Sequence, residues 1–350
     1  MSTVLVTGAC GFIGSHLVRQ LLSQPSWRVV NLDKLTYAGD QARLADVVED
    51  GRYRFVRGDI ADAALVHDLF DQERPWAVVN MAAESHVDRS ILSAAPFIQT
   101  NVMGTQVLLD AARTYHADRF VQVSTDEVYG DAAEGEPFSE ASPLHPSSPY
   151  SASKAAADLL CLAYHRTYAM PITIARSANN YGSFQYPEKL IPLMIRNALS
   201  GRPLPVYGDG AQVRDWLHVA DNCAALQLVM ERGQTGHIYN IGAEQFRTNL
   251  EVVRMVCQIL AEETGGAVRD LEALIQFVPD RPGHDRRYAG RADTIRRELG
   301  WIPRMAFPDG LRETVRWYVE HQDWIRRATT EDYETYYESV YRRTWNQPES

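Results

Sequence analysis

Residues 4–14 read VLVTGACGFIG, and the order of features in this stretch decides the fold. Val4-Leu5-Val6 is an apolar, β-branched run of the kind that forms a strand buried on both faces. It gives way at once to Gly8, Gly11 and Gly14, and from 14 to 23 apolar residues recur at helical spacing. A strand, a glycine-rich turn and a helix in this order open a parallel sheet. The first turns of such a helix offer unpaired N–H groups and the positive end of its dipole, and glycine lets the backbone approach a pyrophosphate closely. The spacing is GxxGxxG, where GxGxxG is commoner.

Outward from this turn the same alternation continues. VVNLD (29–33), YRFV (53–56), WAVVNMAA (76–83), RFVQVS (119–124) and ITIAR (172–176) read as strands buried on both faces. Amphipathic helical segments lie between them around 62–72, 97–115 and 150–168. Such alternation predicts an α/β fold, a doubly wound (Rossmann) parallel sheet with helices on both faces. Asp33 ends the second strand about 20 residues beyond Gly14, where a carboxylate accepts a hydrogen bond from an adenosine ribose 2′-OH and repels a 2′-phosphate. The dinucleotide expected is therefore NAD and not NADP, with Lys34 beside the carboxylate. After residue 177 the rhythm loosens and Pro187, Pro192, Pro203, Pro205, Pro279 and Pro282 interrupt it. Helices are still predicted over 189–199, 219–231 and 249–262, and HIYNIG (237–242) reads as a strand returning to the main sheet. The division expected is a dinucleotide-binding domain at 1–177, with a return segment near 215–242. A smaller mixed α/β C-terminal substrate-binding lobe at 178–350 completes it, the boundary being crossed more than once.

The chain of 350 residues is 45% hydrophobic, enough for a sizeable core. Its formal net charge of −10 argues against nucleic acid as a partner. Cys10, Cys161, Cys223 and Cys257 form no CxxC pair and lie near no histidine cluster, so reduced thiols and no metal site are expected. No signal peptide precedes the first strand and no run approaches the ~20 apolar residues of a membrane span, so a soluble cytoplasmic protein is expected. The polar ending NQPES is expected to fray.

Two short stretches carry chemistry. In PYSASKAAAD, Tyr150 and Lys154 are one helical turn apart on one face, and an ammonium there is expected to lower the phenol's pKa toward use as a proton acceptor. In VSTDEVYG (123–130), Asp126 and Glu127 are adjacent carboxylates at the end of a buried strand, a costly placement unless they are solvated, paired or used. Neighbouring strand residues point to opposite faces, so the pair converges on one substrate only if the strand has ended by Asp126.

The glycine triplet together with YxxxK resembles the extended short-chain dehydrogenase/reductase superfamily. Within it, the chain resembles the dTDP-glucose 4,6-dehydratase family. The resemblance rests on TGACGFIGSH, LDKLTYAG, AAESHVDRSI, TNVMGT, STDEVYG, SPYSASKAAAD, NNYG, PEKLIPL, VRDWLHV, TNLEVV and DRPGHDRRYA, which run from residue 7 to about 289. It implies a redox-neutral lyase acting on a nucleotide-linked glucose. Oxidation at C4 acidifies the C5 proton, water leaves across C5–C6, and hydride returns to C6. Tyr150 and Lys154 would serve the oxidation, with Thr125 on O4. Glu127 would take the C5 proton and Asp126 would protonate the departing hydroxyl.

The resemblance also implies which residues surround the ligands. Phe12, Ile13, Asp33, Lys34, Leu35, Thr36 and Ile60 would surround NAD, with Asp59 placed to contact the adenine. Ala82, Ala83 and Thr100 would continue that wall to Tyr150, Lys154 and Asn180 at the nicotinamide. Ser85 would touch the glucosyl group and Asn179 the glycosyl phosphate. Glu188, Lys189, Leu190, Pro205 and Tyr207 would form the nucleotide side with Arg214, Asn249, Arg281 and His284. PEKLIPL favours dTDP over UDP or CDP. Two departures from the family pattern, Ser183 where proline is expected and residues 242–248, are expected to lie near the nucleotide side. A homodimer through two helices per subunit is implied by the superfamily. The alternatives weighed are a nucleotide-sugar 4-epimerase or decarboxylase, which needs no Asp126-Glu127 pair, and a non-catalytic NAD-binding regulator, in which one of these groups would be eroded.

Overall fold

The computed structural model describes residues 1–345, so the ending NQPES lies outside the described residues. Its strands, in chain order, are β1 (Ser2–Thr7), β2 (Trp27–Asp33), β3 (Tyr53–Arg57), β4 (Ala77–Asn80), β5 (Arg119–Thr125), β6 (Ile172–Ser177), β7 (Asn179–Tyr181), β8 (Leu204–Tyr207), β9 (Val213–His218), β10 (Ile238–Ile241), β11 (Phe246–Thr248) and β12 (Ile275–Val278). Seven of them form one sheet in the order β10-β6-β5-β4-β1-β2-β3, parallel throughout. This is the doubly wound order 3-2-1-4-5-6 with one strand added, and HIYNIG supplies the addition by pairing β10 with β6.

Alternation along the strands divides the core into two layers. Val4 and Val6 of β1 pack with Leu17, Val18 and Leu21 of the helix Phe12–Leu22 and with Leu226 and Val229 of Val219–Arg232. Leu5 faces the other way, toward Val66 and Phe70 of Ala63–Glu73, Leu108 of Thr105–Thr114 and Cys161 of Pro149–Tyr168. Each such side chain contributes roughly 1.5–3 kcal/mol through burial. A third core gathers Ile191, Leu204, Trp216, Val253, Phe307 and Leu311 beneath the two smaller sheets, β11-β9-β7 and β12-β8.

The elements depart from expectation at three places. YRFV is not buried on both faces, because β3 is the edge strand and no further strand covers it. The fourth strand stops at Asn80: the Thr7 hydroxyl donates to Asn80 Oδ1 (2.8 Å) and accepts the N–H groups of Met81 and Ala82, which peels residues 81–83 off the sheet. The helix expected over 97–115 contains a π-helical stretch, Ile98–Gly104, before regular helix resumes at Thr105. All four cysteines are free and buried. Among the described residues no helix is long and apolar enough to cross a membrane, and no cluster of three His, Cys, Asp or Glu side chains is placed to hold a metal.

Candidate active site

A cavity of about 310 Å³ opens at the carboxyl ends of the parallel strands, where β2 and β4 diverge from β1. Gly8, Gly11 and Gly14 form its floor. Gly8 has φ +70°, and a Cβ built on it would stand 2.7 Å from Ala82 Cα; on Gly14 it would stand 2.6 Å from Ala9 Cα. These glycines therefore press the first turn against its neighbours and leave a backbone-lined cradle. Gly11 caps the helix Phe12–Leu22 without any side-chain bond, so the helix's first N–H groups face the cradle unspoken for. Asp33 closes the far end, 6% exposed, accepting the N–H of Cys10 and of Leu35 at 2.8 Å each. Burial raises its pKa, and those two amides offset this only in part. Lys34 lies 2.6 Å from Asp59 and so bridges the ends of β2 and β3 along the cavity wall. Phe12, Ile13, Thr36, Asp59, Ile60, Ala82, Ala83, Thr100 and Asn180 all line the cavity. Leu35 does not: its side chain packs against the sheet core and only its amide serves the site, through Asp33. The cradle and the carboxylate beyond it fit a dinucleotide.

At the other end of the cavity stands the acid pair. β5 ends at Thr125, and Asp126–Tyr129 turn into a 3₁₀ helix whose first N–H groups include that of Glu127, accepted by Thr125 Oγ1 at 3.2 Å. The strand has thus ended where convergence requires, and both carboxyl groups line the cavity. Asp126 Oδ2 and Glu127 Oε2 are buried without a protein partner, as are Asn179 Oδ1 and Asn180 Oδ1 beside them. A buried acceptor left unpaired costs about 1–3 kcal/mol, so four in one cavity point to a bound polar ligand. The two acids are not equivalent. Burial, then the charge of Glu127, then Asp215, lift the pKa of Asp126 well above its ordinary value. Burial also raises Glu127, but Arg281, Arg214 and Lys189 pull it back.

Tyr150 and Lys154 sit in the first turns of Pro149–Tyr168, a helix started by a Ser148–Ser151 capping box with Pro149 at its first position. Both are buried and both line the cavity. The phenol's pKa is nevertheless raised, first by burial and then by Glu127, with a hydrogen bond from Thr125 opposing. The lowering expected from Lys154 is not seen: its Nζ donates to the Val123 carbonyl at 2.7 Å, and the carboxylate whose charge acts on it is Asp158.

The residues expected to bind substrate fall into two groups. Ser85, Thr125, Asn179, Glu188 and Lys189 line the cavity, and Lys189 Nζ donates to the Ser85 carbonyl at 2.7 Å. Leu190, Pro205, Tyr207, Arg214, Asn249, Arg281 and His284 do not. Leu190 packs against the third core, Pro205 is buried in β8 and Asn249 begins the helix Asn249–Thr264, its amide donating to Gln212. Arg214 donates to the Asp285 carbonyl and lies 4.0 Å from the Tyr288 ring. Tyr207 OH and Arg281 Nη1 both donate to Asp88, at 3.1 and 3.0 Å, and the His284 imidazole is wedged between Asp280 and the Tyr207 ring.

Asp88 was missed by sequence reasoning, although it stands inside AAESHVDRSI, because its partners lie far along the chain. Asn101 was missed too. The π-helical stretch turns it so that its amide donates to the Glu84 carbonyl (3.0 Å) and Ser153 Oγ (2.8 Å), bracing the cavity wall against the Tyr150 helix. Of the two departures, Ser183 is not on the nucleotide side: its carbonyl lies 3.1 Å from His16 Nε2 on the first helix. Residues 242–248 lie next to Arg214, since β11 pairs with β9 and sets Arg247 opposite it.

A parallel doubly wound sheet, an open glycine cradle and a tyrosine–lysine turn facing one cavity define an extended short-chain dehydrogenase/reductase. The family model described as GDP-mannose 4,6 dehydratase matches residues 5–314. The dTDP-glucose 4,6-dehydratase of Neisseria gonorrhoeae is 54% identical over 332 residues, 91% of this chain and 96% of that one. The crystal structure of the dTDP-glucose 4,6-dehydratase DesIV from Streptomyces venezuelae, with NAD bound, is 49% identical with a TM-score of 0.87, covering 93% of this chain and 99% of that one. A UDP-glucose 4-epimerase from Thermus thermophilus in complex with NAD is 32% identical with a TM-score of 0.82, covering 91% and 99%. The chain belongs to the dTDP-glucose 4,6-dehydratase family.

Proposed function

We propose that this protein converts dTDP-glucose to dTDP-4-keto-6-deoxyglucose and water. The observation that carries the reading is the buried Asp126–Glu127 pair, each acid keeping one unpartnered oxygen in the cavity that also holds the glycine cradle and Tyr150. A 4-epimerase needs the cradle and the tyrosine but has no elimination for two acids to serve.

Bound NAD supplies a reversible hydride acceptor, so oxidation at C4 and reduction at C6 cancel over a turnover. Gly8, Gly11, Gly14 and the uncapped helix start would hold its pyrophosphate and Asp33 its adenosine ribose. In its phenolate form Tyr150 takes the O4 proton as C4 becomes a ketone, and Thr125, which bonds the phenol, also reaches O4. Lys154 fixes the local positive charge on the same helix face. The ketone stabilises the enolate that forms when Glu127 removes the C5 proton. Asp126 gives its proton to the C6 hydroxyl, which departs as water with the C6–O electron pair. Glu127 returns its proton to C5 as C6 is reduced, and the proton on Tyr150 passes to Asp126, directly or through water, restoring the starting charges. Lys189, which lines the cavity, suits the diphosphate, and Arg214 and Arg281 outside it hold down the pKa of Glu127 against burial.

The protein also pairs with a second copy through the helix ending at Thr114 and the helix Pro149–Tyr168. What supports this is apolar exposure along those two segments: Ile98 at 48%, Met103 at 46% and Leu159 at 58%. Incubation with dTDP-glucose and, in parallel, with UDP-glucose tests the main reading through the alkali-absorbing 4-keto product. Product from dTDP-glucose at ten or more times the UDP-glucose rate is expected, and none from either would reject it. Sedimentation as a monomer would reject the pairing.

A further inference from the structure

The loop after β2, residues 34–40, covers the cofactor end of the cavity through Lys34, Thr36, Ala38 and Gly39. It contains a non-glycine residue at positive φ, Leu35 at +57°, so its shape must be held by what surrounds it. Its tip is held from outside. The Tyr37 hydroxyl donates to Glu188 Oε1 at 2.9 Å, 151 residues along the chain. The other carboxylate oxygen, Glu188 Oε2, accepts Nε of Arg89 at 3.2 Å. The Arg89 guanidinium in turn lies 3.9 Å from the centre of the Tyr37 ring and 4.0 Å from that of Tyr336, on the helix Glu331–Trp345. Glu188, with its side chain 3% exposed, lines the substrate end of the cavity beside Lys189. Arg89's neighbour on the short helix Val87–Leu92 is Asp88, which holds Tyr207 and Arg281.

We infer that Arg89 is a positioning residue that fastens the cofactor loop to the substrate wall, so that NAD and the nucleotide each slow the other's release. The inference rests on the reading of the cavity given above and adds the coupling between its two ends. A planar, permanently charged group is required, because it must stack on two rings and donate edge-on to a carboxylate at once; an ammonium does only one of these. Coupling between two sites is reciprocal, so it is readable from either ligand. It also accounts for a cofactor that must stay in place while the substrate passes through oxidation, elimination and reduction.

The test uses the full-length holoenzyme and dTDP as the probe. NAD dissociation is followed after dilution into an NAD trap, with and without saturating dTDP, for wild type, Arg89→Lys and Arg89→Met. In the wild type dTDP is expected to slow NAD release at least tenfold. In both variants the slowing is expected to fall below twofold, while release without dTDP becomes faster. A wild type without a dTDP effect, or an Arg89→Lys variant that keeps it, overturns the inference. If neither Arg89 variant folds, Tyr37→Phe decides: it keeps the stacked ring and loses the bond to Glu188, so at least half of the effect should go, and an unchanged effect overturns the proposal. A wild type that binds NAD and dTDP with this coupling yet makes no 4-keto product would reject the functional reading alone, and one that holds no NAD would reject both.

Discussion

Glu127 and Asp126 are chemically near-identical neighbours, and their surroundings give them different work. Asp126 faces another carboxylate, Asp215, and keeps its proton; Glu127 faces three cations and gives its proton up more readily. Glu127→Gln is therefore expected to cut dehydration by at least about 100-fold, the lower end of what a positioned base contributes. The wild-type dehydration rate should fall as pH drops through the pKa of Glu127, at a pH above the ordinary glutamate value of 4.5. Because the Glu127 charge also raises Tyr150, Glu127→Gln should move the pH dependence of cofactor reduction toward lower pH, measurable by single-turnover absorbance. Asp126 carries a stability cost as well. A folded pKa raised above 3.8 means that its contribution to stability is complete below that value and is lost as pH rises toward the raised one. Asp126→Asn should raise stability near neutral pH by roughly 1 kcal/mol, an advantage that grows with pH, while nearly abolishing activity; denaturant melts across pH check this.

The elements that present these residues were readable to the extent that their signals are local. The glycine triplet, the Tyr150–Lys154 turn and the acid pair each occupy one short segment, and the end of β5 at Thr125 is where the pair's chemistry requires it. Gly8→Ala forces a Cβ onto Ala82 at positive φ and should lose roughly 1–3 kcal/mol of stability with most NAD retention, seen by melting and by cofactor content after gel filtration. Asp33→Ala removes a charged hydrogen-bond acceptor from the ribose and should weaken NAD roughly 10–100-fold by titration calorimetry. The π-helical stretch at Ile98–Gly104 was not readable, since one added residue leaves the apolar spacing intact on either side. Nor was the grouping of Asp88 with Tyr207 and Arg281, which lie 119 and 193 residues away, because periodicity pairs residues only within a segment. The phenol's raised pKa escaped for the same reason: it depends first on burial in the folded cavity and then on the charge of Glu127.

At the scale of the molecule, the seven-stranded sheet holds the cofactor cradle at the carboxyl end of β1 and the acid pair at that of β5, with β4 between them, while Lys189, Arg214 and Arg281 set their charges toward Glu127. One cavity thus joins a reversible oxidant to an acid and a base, which lets a poorly acidic C–H bond be broken in the brief life of a ketone. A single-turnover reaction of Glu127→Gln with dTDP-glucose deuterated at C5 tests this most directly. The reduced cofactor is expected to appear and persist, C5 to keep its deuterium and no 6-deoxy product to form. Deuterium washed out of C5 and product formed at the wild-type rate would contradict it.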